Sequence, residues 1–244
     1  MPRTFLYNAQ AHALGGFVTR PLPQRAIDTV AGVSLPITGG HDAAHISNFS
    51  LLTPRLSICS ASTEVSGSQA TDGSYNTVIS TAIDGLVIAD PDTREEIVTA
   101  DAIDMTIATR HPDDDSETTV QITGSIHNLV VKGEPVNIVL DTCLNDAPTY
   151  TQFDQKYGNS PNVSKSKNPG MMRCSLIKKL THSHAQPPTD QQVLVVPNFG
   201  KIYLGEVHMI HNTRRVTMMR LELGSPVAGS IALGGGSGNG LPYP

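Results

Sequence analysis

The chain has 244 residues, of which 16% are charged and 5% aromatic, with 21 glycines, 17 prolines and no tryptophan. This composition suits a turn-rich β fold and argues against helical bundles and coiled coils. The formal net charge is only −5, and no basic stripe or set of stacking aromatics suggests nucleic acid as a partner.

The N-terminal segment, residues 1–36, carries four prolines and is predicted to be an extension in which "GGFVTRPLPQ" adds an edge strand. It lacks the charged and apolar regions of a signal peptide, and no stretch of the chain reaches the roughly 20 apolar residues of a membrane span. We therefore expect a cytoplasmic protein, with non-classical export to the cell surface as the alternative. The three cysteines form no CxxC motif, so free thiols are expected, or one disulfide and one thiol.

Strand patterns then dominate the chain up to residue 144. They are rich in Val, Ile and Thr, are bounded by Gly, Pro, Asp or Asn, and are joined by polar turns, which favours antiparallel hairpins. The segments are "HISNFSLLT", "LSICSASTEVSGS", "YNTVISTAIDGLVIAD", "EIVTADAIDMTIATR", "TTVQITGSIHNLVVKG" and "EPVNIVLDTCL".

One short helical or loop insertion is predicted at about residues 146–170. In "APTYTQFDQKYG" the aromatic residues recur at helical spacing, and Thr149 or Thr151 could cap the helix. Strand patterns resume in "MMRCSLIKKLTHSH", "VLVVPNFGKIYLGEVHMI" and "RRVTMMRLELGS". The sequence therefore predicts an all-β fold, an antiparallel β-sandwich or barrel-like domain over residues 37–233, and a flexible Gly-rich tail at 234–244.

Three segments share one apolar pattern, an isoleucine followed by an apolar residue three positions later and another two beyond that. They are residues 46–51, 83–88 and 126–131. The offsets of 37 (83 − 46) and 43 (126 − 83) are too uneven for a solenoid. We interpret the segments as core strands with a bulge or kink at the three-residue step.

Four of these motifs in order resemble the choice-of-anchor P domain of bacterial surface proteins. They are "GLVIAD" with "EEIVTADAIDMTIAT", "ITGSIHNLVVKGEPVNI", "VLVVPNFGKIYLGEV" and "VTMMRLELGSPVAGSIALG". The similar block runs from about Thr81 to Leu233, and Gly205 stands where that family usually has Asn. The resemblance implies an all-β, exported bacterial module without established enzymatic activity.

Two histidine-containing segments are candidate sites. "THSHAQ" places His182 and His184 on one face of a predicted strand, where they could hold Zn²⁺ or Fe²⁺ with a third ligand. "GEVHMIHN" places Glu206 and His208 on one strand face, where they could act as an acid–base pair in a cleft. In both cases the alternative is a polar strand surface or end without a ligand.

The turn "HPDDDSE" is a candidate calcium site, because its carboxylates could supply oxygen ligands. These residues are Asp113, Asp114, Asp115 and Glu117. The spacing of an EF-hand is absent, and a solvated hairpin tip is the alternative.

No catalytic residue and no cofactor are assigned, and a divalent metal at one of these sites is the alternative. We expect a structural, self-associating bacterial β-domain protein, a surface or filament-forming component whose partner is a second copy of itself. A metal-dependent enzyme or metal-binding protein using either histidine segment is the first alternative. A carbohydrate-binding module is the second, with Tyr75, Tyr203 and Tyr243 as its candidate stacking rings.

Overall fold

The computed structural model describes residues 4–20, 24–52, 55–114, 116–166, 170–187, 189, 191–224 and 227–243. Strands dominate these ranges. They are β1 (Thr4–Arg20), β2 (Arg25–Val30), β3 (Val33–Ser34), β4 (Gly40–Leu51), β5 (Arg55–Gln69), β6 (Tyr75–Ala89), β7 (Glu96–His111), β8 (Thr119–His127), β9 (Val130–Val131), β10 (Glu134–Pro135), β11 (Asn137–Leu140), β12 (Ser164–Lys165), β13 (Met171–Ser175), β14 (Ile177–Thr181), β15 (Gln192–Val196), β16 (Gly200–Ile210), β17 (Thr213–Leu223) and β18 (Ala228–Tyr243). The helices are α1 (Cys143–Asp146) and α2 (Tyr150–Tyr157).

The strands form two large antiparallel sheets and one small one. The nine-stranded sheet has the order β12-β13-β16-β17-β18-β1-β2, with β15 also beside β16 and β3 beside β1. The seven-stranded sheet has the order β10-β9-β7-β6-β5-β4, with β8 also beside β7, and β11 pairs with β14. The all-β prediction is therefore confirmed.

The core lies between the two large sheets. Strands β1 and β18 pack on β5, β6 and β7, and the side chains of Ile79 and Met105 reach the backbone of β18. Inward residues such as Ile83, Ile103 and Leu233 have no exposed surface. Two packed antiparallel sheets with one shared core form a sandwich-like architecture.

The predicted tail and the first strand of the N-terminal extension, β1, lie inside the nine-stranded sheet, and β2 of that extension forms one end of it. The glycine run belongs to β18, which hydrogen-bonds to β17 on one side and to β1 on the other. A Cβ added at Gly236 would lie 2.8 Å from Met105 Cε, and one at Gly238 would lie 2.3 Å from Ile79 Cδ1. Glycine is therefore needed because the opposite sheet packs directly on this backbone. The composition predicts a flexible tail, and the structure instead has a central strand.

Residues with left-handed backbone, that is with positive φ, form a row across the seven-stranded sheet. Asn48 in β4, Gly85 in β6 and Asn128 just after β8 have φ values of 57°, 64° and 50°. The strand registers place Cys59 between Asn48 and Gly85, and Asp101 between Gly85 and Asn128. Because side chains alternate along a strand, one such residue changes which face the following side chains occupy.

The three repeated apolar segments mark this row. In residues 46–51, 83–88 and 126–131 the left-handed residue lies between the isoleucine and the next apolar position. The intervening strands show the same three-residue step, from Ile58 to Ala61 in β5 and from Ala100 to Ile103 in β7, all four of them buried. The predicted kink is confirmed, and the registers align it across five neighbouring strands, β4 to β8.

A second row crosses the nine-stranded sheet in the same way. Gly205 in β16, Gly234 in β18 and Ala31 just after β2 have φ values of 61°, 60° and 46°. The registers place Met218 between Gly205 and Gly234, and Ala13 between Gly234 and Ala31. Both layers of the sandwich are therefore kinked along one line each.

The predicted insertion contains helix α2. Thr149 caps it by accepting a hydrogen bond from the Gln152 backbone N–H, the Gln152 side chain accepts one from the Thr149 N–H in return, and Gly158 follows its last residue. This capping box satisfies N–H groups that a helix start leaves without partners. The helix prediction, with Thr149 as the cap, is confirmed.

Helix α1 and the residues after it cover the outer edge of β8. The Asn145 side chain accepts a hydrogen bond from the Ile122 N–H at 3.0 Å and donates one to the Ile122 carbonyl at 3.0 Å. The Pro148 carbonyl accepts one from the Val120 N–H at 2.9 Å. A side-chain amide therefore takes the place of a neighbouring strand, which protects this edge from pairing with another chain.

We expect Asn145→Ala to lower the free energy of unfolding by about 1.5 kcal/mol, because both backbone groups of buried Ile122 lose their partner. Chemical denaturation monitored by circular dichroism measures this difference. Asn137→Ala in β11 is the control, since Asn137 is exposed, and should change stability by less than about 0.5 kcal/mol. Equal effects of the two substitutions would contradict the role of Asn145 at this edge.

Candidate functional site

His182 and His184 lie in the turn after β14 rather than on a strand. Their rings are 5.3 Å apart. His182 Nδ1 accepts a hydrogen bond from the His184 backbone N–H at 3.1 Å, and His182 Nε2 is 3.2 Å from the Val131 carbonyl oxygen. Both ring nitrogens of His182 therefore already have protein partners. Within the described ranges, no group of three or more His, Cys, Asp or Glu side chains is arranged to hold a metal ion.

The carboxylates of the β7–β8 turn point to separate partners. Asp114 accepts a hydrogen bond from the Ser116 N–H at 2.9 Å, and hydrogen bonds from Ser116 lower its pKa. Glu117 accepts hydrogen bonds from the Thr151 N–H at 3.2 Å and from its hydroxyl at 2.7 Å, at the start of α2. Asp113 lies beside Gly73. Asp115 lies outside the described residues.

Two of the three candidate stacking tyrosines have their ring faces covered. Tyr75 is 9% exposed and stacks on Phe5 with ring centroids 4.3 Å apart. The guanidinium of Arg220 lies 3.8 Å from the ring centroid of Tyr203. The Tyr243 side chain lies outside the described residues. Neither described ring offers an open face to a sugar.

Cysteine chemistry does not point to a nucleophile either. None of the three cysteines is in a disulfide. Burial, with Asp141 beside the thiol, raises the pKa of Cys143 to about 12. The Cys143 thiol is therefore protonated at neutral pH, whereas nucleophilic cysteines need a lowered pKa.

Glu206 and His208 are brought together on the outer face of the nine-stranded sheet. Both side chains lie on one face of β16, as the sequence predicts. Gly205 has left-handed backbone, so the strand changes face there and Tyr203 lies on the same face as Glu206. The neighbouring strand β17 changes face at Met218, which lies opposite Gly205. Arg220 therefore lies directly across from Tyr203. The kink in this sheet therefore assembles the polar cluster.

Glu206 is a buried carboxylate with three donors. It is 4% exposed and accepts hydrogen bonds from Arg220 Nε at 2.6 Å, Arg220 Nη2 at 2.9 Å and Gln191 Nε2 at 2.6 Å. A bidentate guanidinium–carboxylate pair is the strong form of ion pair. The Glu206 carboxylate therefore holds the Arg220 side chain in a fixed position on this face of the sheet.

Arg220 links Glu206 to a second acid at the surface. Arg220 Nη1 donates to Glu222 at 2.5 Å, and the Tyr203 hydroxyl donates to Glu222 at 2.9 Å. Hydrogen bonds to both carboxylates raise the pKa of Arg220 further. Burial raises the pKa of Tyr203, and its hydrogen bond to Glu222 acts in the same direction.

A pocket of about 270 Å³ opens beside this cluster. It is lined by Arg173, Gln191, Glu206, His208, Arg215, Thr217, Arg220 and Ala232. Burial lowers the pKa of His208; Glu206 opposes this shift, and the nearby arginines reinforce it. His208 is therefore neutral at pH 7, and it lies among cations that repel a further positive charge.

The other unusual surface is the outer edge of β4. Strand β4 hydrogen-bonds to β5 on one side, and near its start Asp42 accepts a hydrogen bond from the Ser34 N–H at 3.2 Å. From Ala43 to Leu51 the described residues supply no further backbone partner on the outer side. Ile46, Phe49 and Leu51 pack on the core but remain partly exposed. We call residues 43–51 the open edge.

Sequence reasoning identified Glu206 and His208 but missed the arginines and Gln191. Arg173, Arg215 and Arg220 lie on two other strands, β13 and β17, so their proximity depends on sheet order. The signal in the sequence is a glutamate among the apolar residues Leu204, Val207 and Met209 of β16, followed by a strand rich in arginine. A buried acid in such a strand needs a cationic partner, and the next strand of the hairpin is the nearest source.

Comparison with known proteins gives a family but no described activity. Residues 5–168, about two thirds of the chain, match the model of DUF8256, a domain of unknown function. No curated protein and no solved structure matches the chain. In the described part of the chain, no helix is long and apolar enough to cross a membrane. The matched segment covers β1 to β12, including all of the seven-stranded sheet, and the chain therefore belongs to the DUF8256 family.

Proposed function

We propose that this protein is a structural module without catalytic activity that associates with a second copy of itself through the open edge. The observation that carries the proposal is the contrast between the two edges of the seven-stranded sheet. Asn145 and Pro148 cover β8, whereas residues 43–51 of β4 present backbone groups to solvent. The resemblance to bacterial surface proteins adds support, and the surface location stays a prediction.

The sequence of the open edge lacks the usual protection against pairing. Residues 43–51 read "AAHISNFSL" and contain no Lys, Arg, Asp, Glu or Pro. Exposed edges in monomeric proteins normally carry such residues, because an unprotected edge pairs with other strands. The open edge is therefore competent for strand addition.

A second copy of β4 fits this edge better than an unrelated strand. Antiparallel pairing of two β4 strands about a two-fold axis keeps the inward and outward faces of both sheets in common. The partly exposed apolar residues Ile46, Phe49 and Leu51 of each copy would then lie beside the same residues of the other copy, and the two hydrophobic cores would be continuous. Pairing of β4 alone gives a dimer, and a filament needs a second contact in addition.

We expect the full chain to sediment as a dimer or a larger species, and the double variant His45→Glu, Ser47→Glu to sediment as a monomer. Both residues are exposed at the open edge, and two-fold pairing brings the four introduced carboxylates close together. Sedimentation velocity over a range of protein concentrations measures this change, with circular dichroism to verify the fold.

Gln121→Glu with Thr123→Glu is the matched control, because these residues are also exposed, two positions apart, on the covered edge strand β8. This control should sediment like the unmodified chain. A chain that is monomeric at all concentrations, or a β4 variant that associates unchanged, would overturn the proposal.

A further inference from the structure

The open edge changes face at Asn48. Before that residue the inward, core-facing side chains are Ala44 and Ile46, and after it they are Phe49 and Leu51; all four are partly buried against the core. Asn48 itself is exposed and has a φ of 57°. The inward side chains of a regular strand repeat every two residues, whereas those of the open edge are spaced by two, three and two residues.

This spacing is symmetric about its centre. A strand that pairs with the open edge has to present inward side chains opposite inward ones, because opposite residues of an antiparallel pair lie on the same face of the sheet. A second β4 strand related by a two-fold axis runs in the opposite direction, and a spacing of two, three and two residues is unchanged by that reversal. The open edge is therefore complementary to itself.

One register brings all the inward side chains together. When the two-fold axis passes just before Asn48, Ile46 of each copy lies opposite Phe49 of the other. In the same register Ala44 of each copy lies opposite Leu51 of the other. Each large apolar side chain then faces an apolar neighbour, and a pair of an aromatic and a β-branched residue stabilises a sheet.

Other registers lose this match. A shift by one residue places every inward side chain of the open edge opposite an exposed position. A shift by two residues places Ile46 opposite Ser47 of the second copy in one direction, and Phe49 opposite Asn48 of the second copy in the other. A regular strand of an unrelated protein has no three-residue step, so it matches the open edge on only one side of Asn48.

We propose that the open edge binds a second β4 strand in this one register, with Ile46 of each copy opposite Phe49 of the other, and that Asn48 is the positioning residue that sets it. The inference rests on the self-association proposed above and names its register and its selectivity. Asn48 acts through its neighbours, because the face change at this residue turns Phe49 and Leu51 inward. The open edge therefore disfavours unrelated strands although it lacks the charges that usually protect an edge.

Directed disulfide cross-linking tests the register. A chain with Ser50→Cys is mixed with a chain carrying His45→Cys, Ala43→Cys or Ser47→Cys, all in a Cys59→Ser background that removes the exposed native thiol. All four introduced positions are exposed. The proposed register places His45 opposite Ser50 of the second copy, whereas registers shifted by two residues place Ala43 or Ser47 there. We expect the His45→Cys mixture to cross-link about five-fold faster than the other two, because a disulfide needs Cα atoms closer than about 7 Å.

Two substitutions at Asn48 test its role in positioning. Asn48→Gly keeps access to positive φ and should leave the dissociation constant of the dimer within about three-fold of the unmodified value. Asn48→Val should raise it about ten-fold or more and abolish the preference for His45→Cys, because a β-branched residue rarely adopts positive φ. Sedimentation velocity measures both constants, and circular dichroism verifies the fold. If Asn48→Val does not fold, the cross-linking comparison with Asn48 in place still decides the register.

The outcomes separate this inference from the proposed function. A chain that is monomeric at all concentrations would overturn both. A dimer that cross-links fastest through Ala43→Cys or Ser47→Cys, or equally through all three mixtures, would overturn the register and leave self-association standing. Equal dissociation constants for folded Asn48→Gly and Asn48→Val would overturn the role of Asn48.

Discussion

Gly238→Ala is expected to lower the free energy of unfolding by about 2 kcal/mol, although alanine is normally the better strand residue. The added methyl group would lie 2.3 Å from Ile79 Cδ1 of the opposite sheet, so the fully buried Ile79 side chain must leave its packed position or the two layers must separate. Urea denaturation of both proteins measures the difference. If residues 234–244 were a flexible tail, the same substitution would have no effect.

A second substitution tests whether the clash with Ile79 is the cause. Ile79→Val removes Cδ1 and alone should destabilise the chain by about 1 kcal/mol. In the Gly238→Ala background the same change should be neutral or stabilising, because it removes the atom that clashes. Gly15→Ala is the control, since the nearest atom to an added Cβ there is 3.8 Å away. Additive effects of Gly238→Ala and Ile79→Val would contradict the packing explanation.

Glu206→Ala is expected to lower the free energy of unfolding by about 3 kcal/mol, because it leaves Arg220 and Gln191 without their shared acceptor. The side chains of Glu206 and Arg220 are only 5% and 24% exposed, so water replaces the lost contacts poorly. Thermal and chemical denaturation measure the loss.

Replacing both members of this ion pair should do less damage than removing one. In Glu206→Leu with Arg220→Met, no buried charge lacks a partner, and we expect a smaller loss of stability than in Glu206→Ala. Glu64→Ala is the control, because its contact with His41 is 57% exposed on both sides and contributes less than about 1 kcal/mol. A double variant that is less stable than Glu206→Ala would show that the pair itself stabilises the fold.

Much of the fold can be predicted from local pattern alone. The alternation of apolar residues locates the strands of the seven-stranded sheet, and the capping residues locate α2 between Thr149 and Gly158. The glycine-rich second half of β18 could not be predicted, because its inward positions Gly236 and Gly238 carry no apolar side chain. There the core is filled by side chains of the opposite sheet, such as Ile79 and Met105, and a single strand's sequence does not record its partner.

The candidate site was predictable only in part, for a similar reason. Glu206 and His208 share one strand, so their common face follows from a two-residue period. Arg173 lies some thirty residues earlier in the chain and reaches them through sheet order. The two-residue period also predicts His182 and His184 on one strand face, but β14 ends at Thr181, and the two rings lie 5.3 Å apart in the turn that follows.

The two rows of left-handed residues set limits on how this sequence can change in length. A one-residue insertion or deletion within β6, on either side of Gly85, would turn every later side chain of that half-strand away from its layer until the next loop. The neighbouring strands β5 and β7 change face at the same row, so neither could restore the register of β6. Length variation among relatives should therefore be confined to the loops, while the number of residues between each strand end and its row stays constant. Aligned relatives can be tested for this constancy position by position.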